Sequence, residues 1–186
     1  ERYLERDPKN AWVRYQMGEM FVDLGQLDKA EDAFRQSLID DTRVAAARNA
    51  LGVIALQRGD VALAEREIRA AIAQKPDVKL AHFNLALLAE QRGDFQTAIR
   101  EYQTEIDTQP NAFKAAFNLA KLHEQLGNSA AQEAAYRKSI ELNPAFAEGY
   151  FYLAKLYLDQ GRNFDDAIRI VKRGIEIGSR RAIAPL

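Results

Sequence analysis

Cysteine is absent from the 186 residues, which excludes disulfides, cysteine nucleophiles and thiolate metal sites and fits reducing and oxidising compartments alike. Histidine is scarce: His82 and His123 are the only two and stand 41 residues apart. There is no excess of one charge. With 26 Lys+Arg against 27 Asp+Glu the net charge is −1, which argues against a nucleic-acid groove or an anionic membrane surface as the main partner. No apolar run approaches the ~18 residues of a membrane span, so no membrane insertion is expected. An initiator Met, a signal peptide and a lipidation motif are also missing, and the stretch is expected to be a fragment of a larger protein. What is plentiful is apolar surface, 47% of residues, enough for a globular core rather than a disordered chain.

Those apolar residues are periodic. Gly25, Gly59, Gly93, Gly127 and Gly161 are each separated by 34 residues, as are Pro76, Pro110 and Pro144, with Pro8 two intervals before Pro76 and Thr42 in the empty slot. Leu51, Leu85, Leu119 and Leu153 keep the interval, with Met17 one step earlier, and so do the small residues Gly18, Gly52, Ala86, Ala120 and Ala154. Ala30, Ala64 and Ala98 form a further column. Independent columns in one period identify an internal repeat.

Within a unit the spacing predicts two helices. Over 79–92, Phe83, Leu85, Leu88 and Ala89 lie near the i, i+3, i+4 spacing of an amphipathic helix. Gly93 stops it, and Asp94, like Asp60 and Asn128 in the same slot, can cap the next helix. A second helix over about 95–108 is expected to bury Ala98, Ile99, Tyr102 and Ile106, with Pro110 ending it. The small residues at 52, 86, 120 and at 64, 98 are expected to face each other so that paired helices approach closely.

A small pair in the first helix, Gly at the turn, Ala then an aromatic in the second helix and Pro at the junction resemble the tetratricopeptide repeat family. On that resemblance the chain divides into five repeats, 11–44, 45–78, 79–112, 113–146 and 147–181, the last with one extra residue in its turn. Residues 1–10 are expected to end a preceding repeat, with Tyr3, Leu4 and Pro8 in register, and 182–186 to begin a following helix. The expected fold class is all-α, a right-handed superhelical solenoid of antiparallel helix pairs. Arg14 and Arg48 depart from the family's early aromatic, and Gln132 and Glu105 occupy small-residue slots; looser contacts or escape to solvent would both accommodate them. A pentatricopeptide array reading RNA should be basic, and this chain is not. Heat-type and armadillo repeats are longer.

The resemblance implies that first helices line a concave groove. One inward column is then Tyr15, Asn49, Phe83, Phe117, Phe151, and its neighbour Gln16, Ala50, Asn84, Asn118, Tyr152. Glu19, Val53, Leu87, Lys121 and Lys155 lie one turn further on, and Trp12, Ala46, Leu80, Lys114 and Glu148 one turn earlier. Asn84 and Asn118 are equivalent positions whose amides can both donate to and accept from a peptide backbone; relatives that bind extended peptides carry an asparagine ladder in this slot. Phe83, Phe117, Phe151 and Tyr152 form an aromatic stripe that either offers pockets to a partner or packs on the neighbouring repeat. Lys114, Lys121 and Lys155 make the C-terminal half of the groove positive and Glu19 with Asp23 make its N-terminal end acidic, although Glu124 and Glu148 stand close by. The register used by chaperone-adaptor relatives to grip a peptide carboxylate fails: of Asn49, Val53, Asn84, Lys114 and Asn118, only Asn84 and Lys114 match, and the arginine fork is missing.

Catalysis finds no foothold. There is no HExxH, no phosphate-cradling glycine loop and no GxSxG, His82 and His123 occupy packing slots, and no cofactor or metal is expected. The expected function is a protein-interaction scaffold holding a peptide or protein segment in the groove. The alternative is a self-association module that docks on its parent chain or on another copy through exposed repeat ends. The Ala/Arg-rich composition and the ending from Gly174 to Leu186 look bacterial and are similar to regions that follow sulfatase-like or other catalytic domains.

Overall fold

The structure, a computed structural model, describes residues 9–161 and 164–183. Among the described residues there are ten α-helices and no strand: α1 Ala11–Asp23, α2 Leu27–Asp40, α3 Ala45–Gln57, α4 Val61–Gln74, α5 Ala81–Gln91, α6 Phe95–Thr108, α7 Phe113–Gln125, α8 Ser129–Leu142, α9 Ala147–Asp159 and α10 Phe164–Ile183. The expected end of a preceding repeat, with Tyr3, Leu4 and Pro8, lies outside the described residues. So does most of the helix expected over 182–186; residues 182 and 183 belong to α10. The chain divides into two compact units, Glu1–Asp94 and Phe95–Leu186, with the boundary between the two helices of the third repeat.

In the first unit, the turn after α3 shows why each repeat folds back on itself. Gly59, at φ +79, takes the left-handed conformation that costs a glycine little. Its N–H donates to the Leu56 carbonyl at 3.0 Å and Asp60 N–H to the Ala55 carbonyl at 2.9 Å, the paired bonds that close a helix C-terminus. The Asp60 carboxylate then accepts from Leu63 N–H at 2.9 Å, capping α4. One residue thus both ends a helix and starts the next, so the chain reverses at once. Asn128, in the equivalent slot of the second unit, makes no such side-chain cap. The expectation of three equivalent caps is corrected there: the turn closes through backbone bonds, Asn128 N–H to His123 carbonyl at 2.9 Å, and leaves the amide side chain aside.

Close packing follows the small-residue columns. Ala30, Ala64 and Ala47 are fully buried, with Phe34 and Ile68 against them. Full burial of a side chain such as Ile68 contributes about 1.5–3 kcal/mol. Gly52 lies against α4 so closely that a Cβ there would be 2.6 Å from Ile68 Cγ1 and 3.1 Å from the Ala64 carbonyl oxygen. The outer side of this unit is ionic. Arg58 reaches back to Asp28 and Glu31, and Glu31 is also held by Arg35. One period on, Arg92 pairs with Glu65, which Arg69 holds at 2.8 Å. The irregular Arg14 and Arg48 are neither loose nor lost to solvent, because they pair with Asp40 and Glu67.

In the second unit α7 pairs with α8 and α9 with α10, around the buried Tyr102, Leu119, Leu122, Tyr136, Leu153 and Tyr157. Ala98 and Tyr102 are buried as expected, while Ile99 and Ile106 are only half-buried. Glu105, in a small slot, is 1% exposed, and Gln132 is buried beside the Tyr136 hydroxyl to which it hydrogen-bonds. Neither escapes to solvent. The chemistry of the ionic latch is absent from the next period, where Ile99, Gln103 and Leu126 stand in its three positions.

Candidate functional site

The first unit holds a cavity of about 390 Å³ on the surface of its first helices. α1 contributes Tyr15, Glu19, Val22 and Asp23, α3 contributes Ala46, Asn49, Ala50 and Val53, and the entry to α5 contributes Leu80 and Asn84. Glu19 and Asp23 lie four residues apart, so they share one face of α1. The Tyr15 hydroxyl donates to the Glu19 carboxylate at 2.7 Å. Burial, and then that anionic partner, push the Tyr15 phenol above its ordinary pKa, which keeps it a donor. The space exists because Ala46 and Ala50 are small where other repeats carry Leu80, Lys114 or Glu148 and Asn84, Asn118 or Tyr152.

The floor is polar. Asn84 and Asn49 are each 8% exposed, and the Asn84 amide donates to the Asn49 carbonyl oxygen at 3.2 Å. The Asn49 amide in turn donates to the Lys79 main-chain carbonyl at 3.3 Å. That bond holds the stretch leading to Leu80, whose φ of +64 makes it the one described non-glycine residue in the left-handed region. Such a conformation costs of order 1–3 kcal/mol and persists when its surroundings over-determine it. The result is a leucine side chain, 42% exposed, standing at the cavity. Val22, 39% exposed, is the other large apolar group left partly open there. Phe83 is half-buried and does not line this cavity.

The other expected site residues lie in the second unit. Asn118 is half-buried, its amide 3.5 Å from the Tyr102 hydroxyl. Phe117 packs against Tyr136, Phe146 and Tyr152 with ring centroids 5.1–5.6 Å apart, so Phe117 and Tyr152 are engaged within the unit. Phe151 is 59% exposed and meets Tyr152 edge-on at 5.5 Å. Lys155 is paired with Glu124 at 3.3 Å and Asp159 at 3.0 Å. Lys114 and Lys121 are exposed and make no ion pair among the described residues. The positive cluster is thereby reduced by a third, as the nearness of Glu124 allowed. His123 is half-buried, and burial holds its ring below the ordinary imidazole pKa; its Nδ1 has no hydrogen-bond partner.

Val22, Val53 and Leu80 are apolar wall residues that the asparagine, aromatic and lysine patterns do not point to, and of the residues forming the acidic and apolar sides all but Val22 and Asp23 stand in the inward columns. The signal that could have found the cavity was the pair of alanines, 46 and 50, in columns otherwise filled by large residues. Among the described residues no group of three or more His, Asp or Glu is arranged to hold a metal ion.

No curated protein matches the chain. Among solved structures, a crystal structure of MamA is similar over 90% of this chain and 97% of its own, at 21% identity and a TM-score of 0.72. PilF of Pseudomonas aeruginosa is similar over 95% and 78%, at 18% identity and a TM-score of 0.77. YrrB, described as a TPR protein with an unusual peptide-binding site, is similar over 95% and 90%, at 15% identity and a TM-score of 0.64. At these identities the likeness is one of fold. The family model for the tetratricopeptide repeat matches residues 15–79, 55–111 and 83–147, and a second model of the same description matches 135–169. With the repeat columns, the paired helices and these matches in agreement, the chain belongs to the tetratricopeptide repeat family.

Proposed function

We propose that this protein holds a segment of another protein against its first helices, and that binding rather than catalysis is its role. The repeat fold is that of a protein-interaction scaffold. The observation that carries the finer proposal is the cavity between α1, α3 and α5, with apolar walls, an amide floor and carboxylates at one side. That is the composition of a recognition site, mostly apolar with a few placed polar groups. With the Asn84 amide engaged with Asn49, its carbonyl oxygen is the atom of that side chain left to accept from a peptide N–H. In the second unit Asn118, Phe117, Phe151, Tyr152, Lys114, Lys121 and Lys155 form the corresponding first-helix surface. Phe151 and the two unpaired lysines are the groups there most available to a partner.

Peptides captured from a displayed library test this. Val53→Arg puts a charged side chain into the cavity and should lower their affinity at least about tenfold, the equivalent of 1.4 kcal/mol. Asn84→Ala and Asn118→Ala should each weaken binding about 2- to 13-fold if each amide contributes a hydrogen bond of ~0.5–1.5 kcal/mol. Affinities unmoved by all three changes would show that the peptides bind elsewhere. Self-association is the second reading, favoured by Phe164, Ile168 and Ile175, each more than half exposed on α10. A single monomeric mass in light scattering across the micromolar range would remove it.

A further inference from the structure

We infer that the cavity of the first unit selects a cationic segment, one in which an Arg or Lys lies beside a Leu-, Ile- or Val-sized side chain. This rests on the proposed peptide-binding role and adds the chemistry of the occupant.

Charge complementarity comes from the distribution of ion pairs in this unit. Arg14, Arg35, Arg48, Arg58, Arg69 and Arg92 are all engaged with carboxylates. Glu19 and Asp23 are different: both are exposed, both line the cavity, and neither has a cationic partner among the described residues. Lys79 is the one cation of the cavity wall, so the lining carries a negative excess. Glu19 is moreover fixed in place by the Tyr15 hydroxyl, so less side-chain entropy is lost when it meets a guanidinium or ammonium group. A wall with unmet negative charge repels an acidic segment and attracts a basic one.

The apolar requirement comes from the opposite features. Val22 and Leu80 are left partly exposed at the cavity, and Ala46, Ala50 and Val53 share its lining. Leu80 is presented there by a strained backbone that Asn49 holds through the Lys79 carbonyl. About 390 Å³ lies at the low end of ligand pockets, which run ~300–1,000 Å³. It has room for a few side chains of an extended segment and not for a docked helix. At the floor Asn84, 8% exposed, offers its carbonyl oxygen to a backbone N–H, a contact that accepts any sequence. Selectivity is therefore left to the carboxylates on one side and the apolar wall on the other.

The test uses three short fluorescein-labelled peptides on one Gly/Ser background, carrying Arg with Leu, Glu with Leu, or Arg with Ser, followed by anisotropy at low and high salt. The Arg/Leu peptide should bind the whole protein most tightly. Its advantage over Glu/Leu should shrink with salt, as expected for exposed charge pairs. The double variant Glu19→Gln, Asp23→Asn keeps the size of both side chains. It should weaken Arg/Leu binding about 2- to 30-fold at low salt, the range for two exposed pairs of ~0.2–1 kcal/mol each, and leave Glu/Leu binding unchanged or improved. Val53→Arg should remove binding of every peptide. Equal binding of Arg/Leu and Glu/Leu peptides, with sensitivity to Val53→Arg retained, overturns the cationic assignment and leaves the peptide-binding role standing. Binding that ignores Val53→Arg overturns both, as does a wild-type protein that binds none of the three peptides while still binding no library peptide. Matching circular dichroism and melting of the variants establishes that lost affinity is not lost fold. Should Val53→Arg fail that check, Val53→Gln takes its place with the same outcomes.

Discussion

Gly52→Ala should destabilise the first unit, against the usual preference of a helix for alanine. An added Cβ would lie 2.6 Å from Ile68 Cγ1, 3.2 Å from Ile68 Cδ1 and 3.1 Å from the Ala64 carbonyl oxygen, where carbon atoms ordinarily rest about 3.5–4.0 Å apart. Ile68 is β-branched, fully buried and in mid-helix, so one χ1 rotamer dominates and the side chain has nowhere to turn. Either Ile68 leaves its rotamer or α3 and α4 separate, which costs about 1–3 kcal/mol. Alanine's intrinsic advantage over glycine offsets about 0.8–1.0 kcal/mol, leaving a net loss of up to about 2 kcal/mol. The decisive comparison is made in an Ile68→Ala background. That change alone should cost about 2–5 kcal/mol, but it removes both Cγ1 and Cδ1 and leaves only the 3.1 Å approach to the Ala64 carbonyl oxygen, so adding Gly52→Ala should then cost clearly less than it does in the wild type. Urea denaturation by circular dichroism, with amide exchange in α3 and α4 to localise the effect, gives the coupling between the two sites. If Gly52→Ala stabilises equally in both backgrounds, the closeness of α3 to α4 has been misjudged.

The caps should separate by the same kind of measurement. Asp60→Ala should cost about 0.5–2 kcal/mol through the lost bond to Leu63 N–H, whereas Asn128→Ala, which removes no side-chain cap, should stay within about 0.5 kcal/mol of wild type. The hydrogen bond from Arg92 is the largest influence holding the Glu65 carboxyl below its ordinary pKa, with Arg69 next. A depressed folded-state pKa gives stability that is complete above the unfolded value, about 4.3, and is lost as pH falls through the folded one. Melting followed downward from pH 6 should therefore fall less steeply in Glu65→Gln than in wild type. At neutral pH the variant should lose no more than about 1 kcal/mol, because the pair is partly exposed.

The repeat was legible because its signals are steric. Glycine at the turn and small residues at the helix contact are required by geometry, as Gly59 and Gly52 show, and a steric requirement leaves the same mark in every period. Partners were less legible than positions. Arg14 departs from the repeat pattern and its partner Asp40 stands 26 residues away, since a sequence shows that a charge needs company and not where the company stands. Asn84 was recognised as polar and inward, yet its bond to Asn49 depends on two adjacent columns being offset by one residue across neighbouring repeats. The left-handed Leu80 is not legible in the sequence, because leucine disfavours that conformation and nothing local marks the Asn49 amide that binds the Lys79 carbonyl beside it. Asn128 shows the converse: a good capping residue in a capping slot whose side chain makes no cap, although the same backbone bonds close its turn as close the one at Asp60.

Arg58 and Arg92 meet the same chemistry, so the second repeat has like-for-like fittings at its two ends: it enters with an arginine and leaves with a glutamate steadied by a second arginine. A tandem copy of residues 45–78 spliced in after residue 78 would find the correct counterpart on both flanks. Growth of the molecule by gene duplication is chemically free at this place. It is not at the following one, where Ile99 and Leu126 would greet an incoming arginine or glutamate with hydrocarbon.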